Sequence, residues 1–174
     1  MMENLTTRYH YKYNEFVKDV KKIIKWLEPQ RDGYTKFGVE PWEPDLIVSI
    51  NRGGLMPGVY LSHALNVPHL PMHYQTRDNK TIVGHKREGW YISGKPQNFD
   101  YDIKVLLVDD INDSGKTFSD IWKHWEAHNL GDVPLSKRIK TVSLIARSES
   151  KFTVDYSPVI LDIKDWVVFP WEGL

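Results

Sequence analysis

The sequence predicts an α/β fold with a mostly parallel central sheet flanked by helices. Two buried-strand runs, 45–50 and 103–108, are each followed by a segment with helical periodicity, 55–65 and 117–128. Further strand signals lie at 69–74, 141–146 and 159–163. Strands that alternate with helices are typical of parallel sheets, and ligands of such sheets bind beyond the carboxyl ends of the strands.

The N-terminal part predicts a short strand and then a helix. Apolar and polar residues alternate from Leu5 to Tyr13, which indicates a strand. From Asn14, which can cap a helix, the period changes to that of a helix that ends before Pro29. Its apolar face comprises Phe16, Val17, Val20, Ile23, Ile24 and Leu27.

The segment between Tyr74 and Asp100 lacks any period. It combines five basic residues with three glycines, and a connection of this length is typical of a lid or hairpin over a site. The chain then ends in a segment rich in Trp and Val, residues 165–172.

Length and composition exclude several classes of protein. The 174 residues suit one domain, and 41% hydrophobic with 26% charged residues excludes global disorder. Lys and Arg total 23, as do Asp and Glu, so no basic excess favours a nucleic-acid partner. The absence of Cys excludes a disulfide scaffold, a Cys zinc site and a thiol nucleophile. Without a signal peptide pattern or a long apolar run, we expect a cytoplasmic protein with no membrane contact.

The strongest functional signal follows the strand 105–108. It reads Asp109-Asp110-Ile111-Asn112-Asp113-Ser114-Gly115-Lys116-Thr117. The turn at 113–117 would aim backbone N–H groups and a helix N-terminus at one point, which suits a phosphate. Two adjacent carboxylates at a strand end usually bind a cation or sugar hydroxyls, although a solvated turn that caps a helix is the alternative.

Two other phosphate or metal motifs do not fit this segment. A Walker P-loop needs Gly where Asp110 stands, and an EF-hand needs Glu where Ile121 stands.

A second polar turn follows the strand 46–48. Arg52 supplies a fixed cation, and Gly53 and Gly54 expose N–H groups where a helix starts. The alternative is an ordinary turn with a surface Arg.

Residues 105–117, VLLVDDINDSGKT, resemble the motif that binds phosphoribosyl pyrophosphate (PRPP) in type I phosphoribosyltransferases. The resemblance implies a single domain over 1–174 with its core at about 40–150 and a flexible loop at about 75–100. It also implies a small hood at about 147–174, with an N-terminal contribution. Expected partners are PRPP, a purine base and Mg²⁺, in a homo-oligomer (dimer or tetramer).

The resemblance also implies roles for individual residues. Asp109 and Asp110 would bind the ribose and the metal, and Asp113 would be the acid/base group facing the purine. The 5′-phosphate would be bound by Asp113, Ser114, Gly115, Lys116 and Thr117. The pyrophosphate would be bound by Asn51, Arg52, Gly53 and Arg77, with a cis peptide expected between Asn51 and Arg52.

The C-terminal segment resembles the hood of the 6-oxopurine branch, which acts on xanthine, guanine or hypoxanthine. Trp166 would then stack on the base, and Val167 would read it through its main chain. The alternative is that this Trp- and Val-rich strand packs into the core. Two residues depart from the branch pattern. Arg147 stands where a Lys usually binds the 6-oxo group, and Asn112 precedes Asp113.

We therefore expect a purine phosphoribosyltransferase that serves purine salvage. Two alternatives stay open: transfer to another or modified base, and a non-catalytic PRPP sensor, including one that binds RNA or DNA.

Overall fold

The computed structural model describes residues 7–31, 42–74, 90–92, 95–97, 103–127, 133–162 and 164–172. The helices are α1 (Tyr13–Arg31), α2 (Leu55–Leu65), α3 (Lys116–Ala127) and α4 (Leu135–Arg138). The strands are β1 (Arg8–His10), β2 (Leu46–Asn51), β3 (His69–His73), β4 (Trp90–Ile92), β5 (Lys95–Gln97), β6 (Val105–Asn112), β7 (Ile139–Arg147), β8 (Val159–Leu161) and β9 (Trp166–Val168).

Five strands form a parallel sheet in the order β3-β2-β6-β7-β8, which confirms the predicted fold class. Ser49 of β2 pairs with Val108 of β6, and Asn112 of β6 pairs with Ala146 of β7. The carboxyl ends of the three central strands therefore lie at one edge of the sheet, where the candidate residues were expected.

The two faces of this sheet carry separate apolar clusters. Ile47 and Leu106 pack with residues of α1 and α2, whereas Val48 and Leu107 pack with Phe118 of α3. Because side chains of a strand alternate between faces, helices on both sides are needed to bury such continuous apolar runs. The motif-bearing strand β6 is thus held rigidly between two helical layers.

The predicted N-terminal helix is confirmed as α1, and the core members of its apolar face are buried. Its predicted bounds are wrong: α1 begins at Tyr13, so Asn14 lies inside the helix rather than capping it, and α1 continues through Pro29 to Arg31. Phe16, Ile23 and Leu27 are fully buried. The preceding strand is shorter than the predicted 5–13, because α1 already begins at Tyr13. Tyr11 is buried and donates its hydroxyl to Asp19 of α1 at 2.8 Å, so it belongs to the core rather than to an exposed strand.

The two ends of the chain meet in a second, parallel sheet. Arg8 pairs with Trp166, and His10 pairs with Val168. A third sheet, the antiparallel pair β4–β5, falls inside the segment 75–100, and most of that segment lies outside the described residues. Among the helices described, none combines the length and the apolar character that a membrane crossing needs.

Candidate functional site

The acidic pair lies inside β6, not after it. The strand was expected to end at Val108, but its pairing with β7 continues through Asp109 and Ile111 to Asn112. Backbone pairing does not depend on the side chain, so the two carboxylates do not end the strand. The pair is consequently fixed by the sheet itself.

Both carboxyls are buried, with Asp109 9% and Asp110 8% exposed. Burial raises the pKa of Asp109 well above its usual range, and the neighbouring charge of Asp110 adds to this effect. Burial likewise raises the pKa of Asp110 to about 6, with a further contribution from the charge of Glu172. Ionised carboxylates are unfavourable here, and a cation bound beside them would relieve that cost.

The turn that follows β2 lies directly on this acidic pair. A Cβ added to Gly53 would stand 1.9 Å from Oδ2 of Asp110, and one added to Gly54 would stand 2.5 Å from the carbonyl oxygen of Val108. Only glycine allows such a close approach of backbone to carboxylate. The peptide bond between Asn51 and Arg52 is cis, as expected.

The turn at 51–54 also presents polar groups at the strand end. Arg52 is exposed. Oδ1 of Asn51 is buried and has no hydrogen-bond partner within the described part of the chain. A buried acceptor without a partner is costly, so this oxygen suits a bound donor or cation.

The loop from Asp113 to Gly115 connects β6 to the start of α3. Gly115 has φ +81°, a left-handed conformation that favours glycine. Asp113 and Ser114 are exposed at the loop, and Ser114 Oγ accepts from the Lys116 amide at 3.3 Å. The loop therefore leads into the N-terminus of α3 at the sheet edge, an arrangement that suits an anion.

Lys116 differs from the other residues of this loop. Its ammonium group pairs with Asp120 one turn along α3, and Asp120 also accepts from the Tyr74 hydroxyl at 2.6 Å. The hydrogen bond from Lys116 is the main reason that the pKa of Asp120 is lowered. The Lys116 side chain is thus directed along α3, and its contribution to the loop is its main chain.

Arg147, at the end of β7, links the loop to the C-terminal segment. Its Nε donates to Oδ1 of Asp113 at 3.0 Å, and its Nη2 donates to the carbonyl oxygen of Asp165 at 2.5 Å. The residue next to Asp165 is Trp166. This guanidinium therefore joins the loop at 113–117, the expected phosphate loop, to the strand expected to hold the base.

The strand β9 combines an exposed and a buried position. The Trp166 side chain is 55% exposed, whereas Val167 and Phe169 are buried in the core. The Trp166 amide donates to Thr7, and the carbonyl of Val168 accepts from Tyr11. Since alternate residues of a strand bond to opposite sides, the main-chain groups of Val167 point away from β1. Packing into the core therefore explains Val167 and Phe169, but it does not explain the exposed Trp166.

Two parts of the site could not be read from local patterns. Glu172 lies close enough to raise the pKa of Asp110, and a turn at 148–152 contacts the phosphate loop. Both depend on tertiary folding of distant segments. Arg77, the remaining expected pyrophosphate ligand, lies outside the described residues.

Comparisons with known proteins identify the family and the fold. The family model for the phosphoribosyl transferase domain matches residues 11–172. Among solved structures, the purine phosphoribosyltransferase of Pyrococcus horikoshii is 24% identical, with a TM-score of 0.66 over 96% of this chain and 95% of that one.

Two other solved structures share the fold. The xanthine-guanine-hypoxanthine phosphoribosyltransferase of Helicobacter pylori is 21% identical, with a TM-score of 0.65 over 95% of this chain and 93% of that one. A hypothetical protein of Neisseria gonorrhoeae with bound ppGpp is 20% identical, with a TM-score of 0.61 over 99% and 93%.

Proposed function

Because the chain belongs to the phosphoribosyl transferase domain family, we propose that it transfers the 5-phosphoribosyl group of PRPP to guanine, xanthine or hypoxanthine. The products are a nucleoside 5′-monophosphate and pyrophosphate, which suits purine salvage. One observation carries the proposal: the buried pair Asp109 and Asp110 lies between a glycine turn in contact with Asp110 and a loop that leads into the N-terminus of α3. These are the three groups that a phosphorylated, pyrophosphorylated sugar needs.

In this reaction the bond between C1 of the ribose and the pyrophosphate oxygen breaks, and its electron pair leaves with the oxygen. N9 of the base forms the new bond to C1, and the base loses its ring proton. Since positive charge develops at C1, catalysis depends on positioning and on charge stabilisation.

The donor would be held at both of its charged ends. Main-chain N–H groups of Ser114, Gly115, Lys116 and Thr117 suit the 5′-phosphate, because they converge at a helix N-terminus. The exposed Arg52, with Asn51 and Gly53, suits the pyrophosphate, and we keep Arg77 as a further ligand for it. The ribose hydroxyls would contact Asp109 and Asp110.

The residues at this strand end fit Mg²⁺. It prefers oxygen ligands, and the site offers two desolvated carboxyls with raised pKa values. The turn that contacts Asp110 adds the Asn51 oxygen, which has no hydrogen-bond partner among the described residues. Asp109 and Asp110 would hold the ion. When bound, Mg²⁺ would neutralise charge on the departing pyrophosphate.

The base would bind between the loop and β9. The exposed Trp166 ring suits stacking on the base. The main-chain groups of Val167, which point away from β1, suit hydrogen bonds to the base edge. Asp113 is exposed on the loop and suits the acid/base role at N7 of the purine. Arg147 lies between these groups and would donate to the 6-oxo group.

Pyrophosphate release with a panel of bases tests the proposal. The purified protein is incubated with PRPP, Mg²⁺ and either guanine, xanthine, hypoxanthine or adenine. We expect turnover with at least one 6-oxopurine and about tenfold less with adenine, because a donor such as Arg147 does not pair with a 6-amino group. Turnover only with a different base would redirect the acceptor assignment.

Calorimetry with PRPP and Mg²⁺ separates the remaining outcomes. Binding without turnover on any base would favour a non-catalytic PRPP sensor. No detectable binding of PRPP would overturn the proposal as a whole.

A further inference from the structure

Asn112 is a buried carboxamide at the last position of β6, directly before the phosphate loop. Its exposure is 2%, and a buried amide is costly unless both of its ends are bonded. Nδ2 donates to the carbonyl oxygen of Phe152 at 2.7 Å, and Oδ1 accepts from Ser150 Oγ at 3.1 Å. Both partners belong to the turn at 148–152, so Asn112 ties this turn to the strand end.

The same turn contacts two residues of the phosphate loop. The Lys151 amide donates to the carbonyl oxygen of Ser114 at 3.2 Å. A Cβ added to Gly115 would stand 2.5 Å from the Phe152 nitrogen, so the loop backbone lies directly against the turn. The position of the turn therefore determines where Ser114 and Gly115 lie.

The turn at 148–152 also packs on α3, the helix that follows the loop. The Phe152 ring stacks on Phe118 of α3, with centroids 5.6 Å apart. The Phe152 carbonyl oxygen also lies 3.0 Å from Ser150 Oγ, so it shares the single hydroxyl proton with Asn112 Oδ1. Strand end, turn and helix thus enclose the loop from three sides.

We propose that Asn112 and Ser150 are positioning residues for the 5′-phosphate: through the turn at 148–152 they hold loop 113–117 in its binding conformation. This inference rests on the proposed function, because it assumes that the loop receives that phosphate. Backbone N–H groups bind an anion well only when they converge before it arrives, since ordering them on binding costs free energy. Asn112, which departs from the pattern of the 6-oxopurine branch, would then serve to fix the loop through its buried amide.

Binding of two partial ligands tests this role. Ribose 5-phosphate probes the phosphate loop, and pyrophosphate with Mg²⁺ probes the turn at 51–54. In Asn112→Leu and in Ser150→Ala we expect the affinity for ribose 5-phosphate to fall about tenfold, and the affinity for pyrophosphate to change less than about twofold. In turnover, the KM for PRPP should rise while the KM for the base stays constant.

Two controls separate positioning from stability. Thr141→Val removes a buried hydroxyl that donates to Asp155 at 2.8 Å, near the other end of β7. It should lower the melting temperature without changing either affinity. Ser150→Thr keeps the hydroxyl and should restore ribose 5-phosphate binding toward the original value.

The outcomes distinguish this inference from the proposed function. If the unaltered protein binds neither probe, the proposed function fails. If the unaltered protein binds ribose 5-phosphate and both variants bind it equally well, only the positioning role is overturned. The positioning role is also overturned if the variants lose affinity equally for ribose 5-phosphate and for pyrophosphate. Should Asn112→Leu fail to fold, Ser150→Ala decides, because Ser150 is only partly buried.

Discussion

The donor end and the base end of the candidate site are built differently: the donor end lies at the edge of the five-stranded sheet, whereas the base end lies on β9 of the separate sheet β1–β9. At the donor end the carboxyls of Asp109 and Asp110 are buried, and the groups around them are largely main chain. At the base end Trp166 is 55% exposed on a strand of three residues. The donor end is therefore preformed by the core, whereas the base end depends on a few exposed groups that can change without disturbing it.

Asp113 and Arg147 connect the two ends. The guanidinium donates to Asp113 on the phosphate loop and to the main chain of Asp165 beside Trp166. Under the proposed function, a change at Asp113 would act both on the chemistry and on the connection between the two ends.

The largest effect is expected for Asp113→Asn. The amide keeps the shape of the side chain but cannot exchange a proton with N7 of the purine, so kcat should fall about 10²- to 10⁴-fold. The KM for PRPP should stay constant, because the loop offers its main chain to the phosphate. Steady-state kinetics with saturating PRPP and varied base measure both quantities.

Asp165→Asn is the matched control for this change. Arg147 Nη2 donates to the carbonyl oxygen of residue 165, which the substitution preserves. The variant should keep kcat within about twofold, since it leaves the acid/base group in place. An Asp113→Asn enzyme with unchanged kcat would remove Asp113 from the acid/base role.

The second prediction concerns a substitution that disrupts the donor end. Gly53→Ala places a methyl group where the Asp110 carboxylate lies, so one of the two must move. A displacement of this size should lower kcat/KM for PRPP about 10²-fold. Gly58→Ala is the control: its Cβ would stand 2.6 Å from Ser49 Cβ in the core, so it should lower the melting temperature and leave kcat/KM nearly constant. Equal activity of both variants would mean that the contact between turn and carboxylate is unimportant.

The same contrast explains what could be predicted from sequence. The helix 55–65 is confirmed residue for residue, and the strands β2, β6 and β7 were found from apolar runs alone, because burial on both faces leaves a continuous pattern. The turn at 51–54 and the loop 113–117 were found because glycine and charge at strand ends carry a local signal. Asp113 and Trp166 are exposed, and their contacts with a base stay predictions.

Tertiary contacts between distant segments were beyond the sequence patterns. Asn112 was recognised only as a departure, since its partners Ser150 and Phe152 lie 38 and 40 residues away. Nothing in the terminal turn indicates that Glu172 acts on Asp110. We expected β6 to end at Val108 because charged residues usually end a buried run, whereas its pairing with β7 continues through Asp109 to Asn112.

The third prediction concerns the stability cost of the donor end. The pKa of Asp110 is raised to about 6 in the folded protein, above the unfolded value near 4, so the folded state binds the proton more tightly. Its contribution to stability is present below about pH 4 and is lost as the pH rises through 6. Asp110→Asn removes this loss, so the variant should gain free energy of unfolding over the original protein. This gain should be on the order of 2 kcal/mol larger at pH 7.5 than at pH 4. Urea unfolding at the two pH values measures the difference, and an equal effect at both would contradict it.

The smallest effect is expected at the base end, for Trp166→Ala. Stacking of a base on an aromatic ring contributes about 1–3 kcal/mol, so the KM for the base should rise about tenfold, while the KM for PRPP stays constant. Because the ring is 55% exposed, the melting temperature should hardly change. Trp26→Ala is the matched control, since Trp26 stacks on Tyr156 with centroids 5.1 Å apart and contacts Lys140. The Trp26→Ala variant should have a lower melting temperature and unchanged KM values for PRPP and the base. If Trp166→Ala instead lowers the melting temperature without raising the KM for the base, the indole is a packing element and the base end must be sought elsewhere.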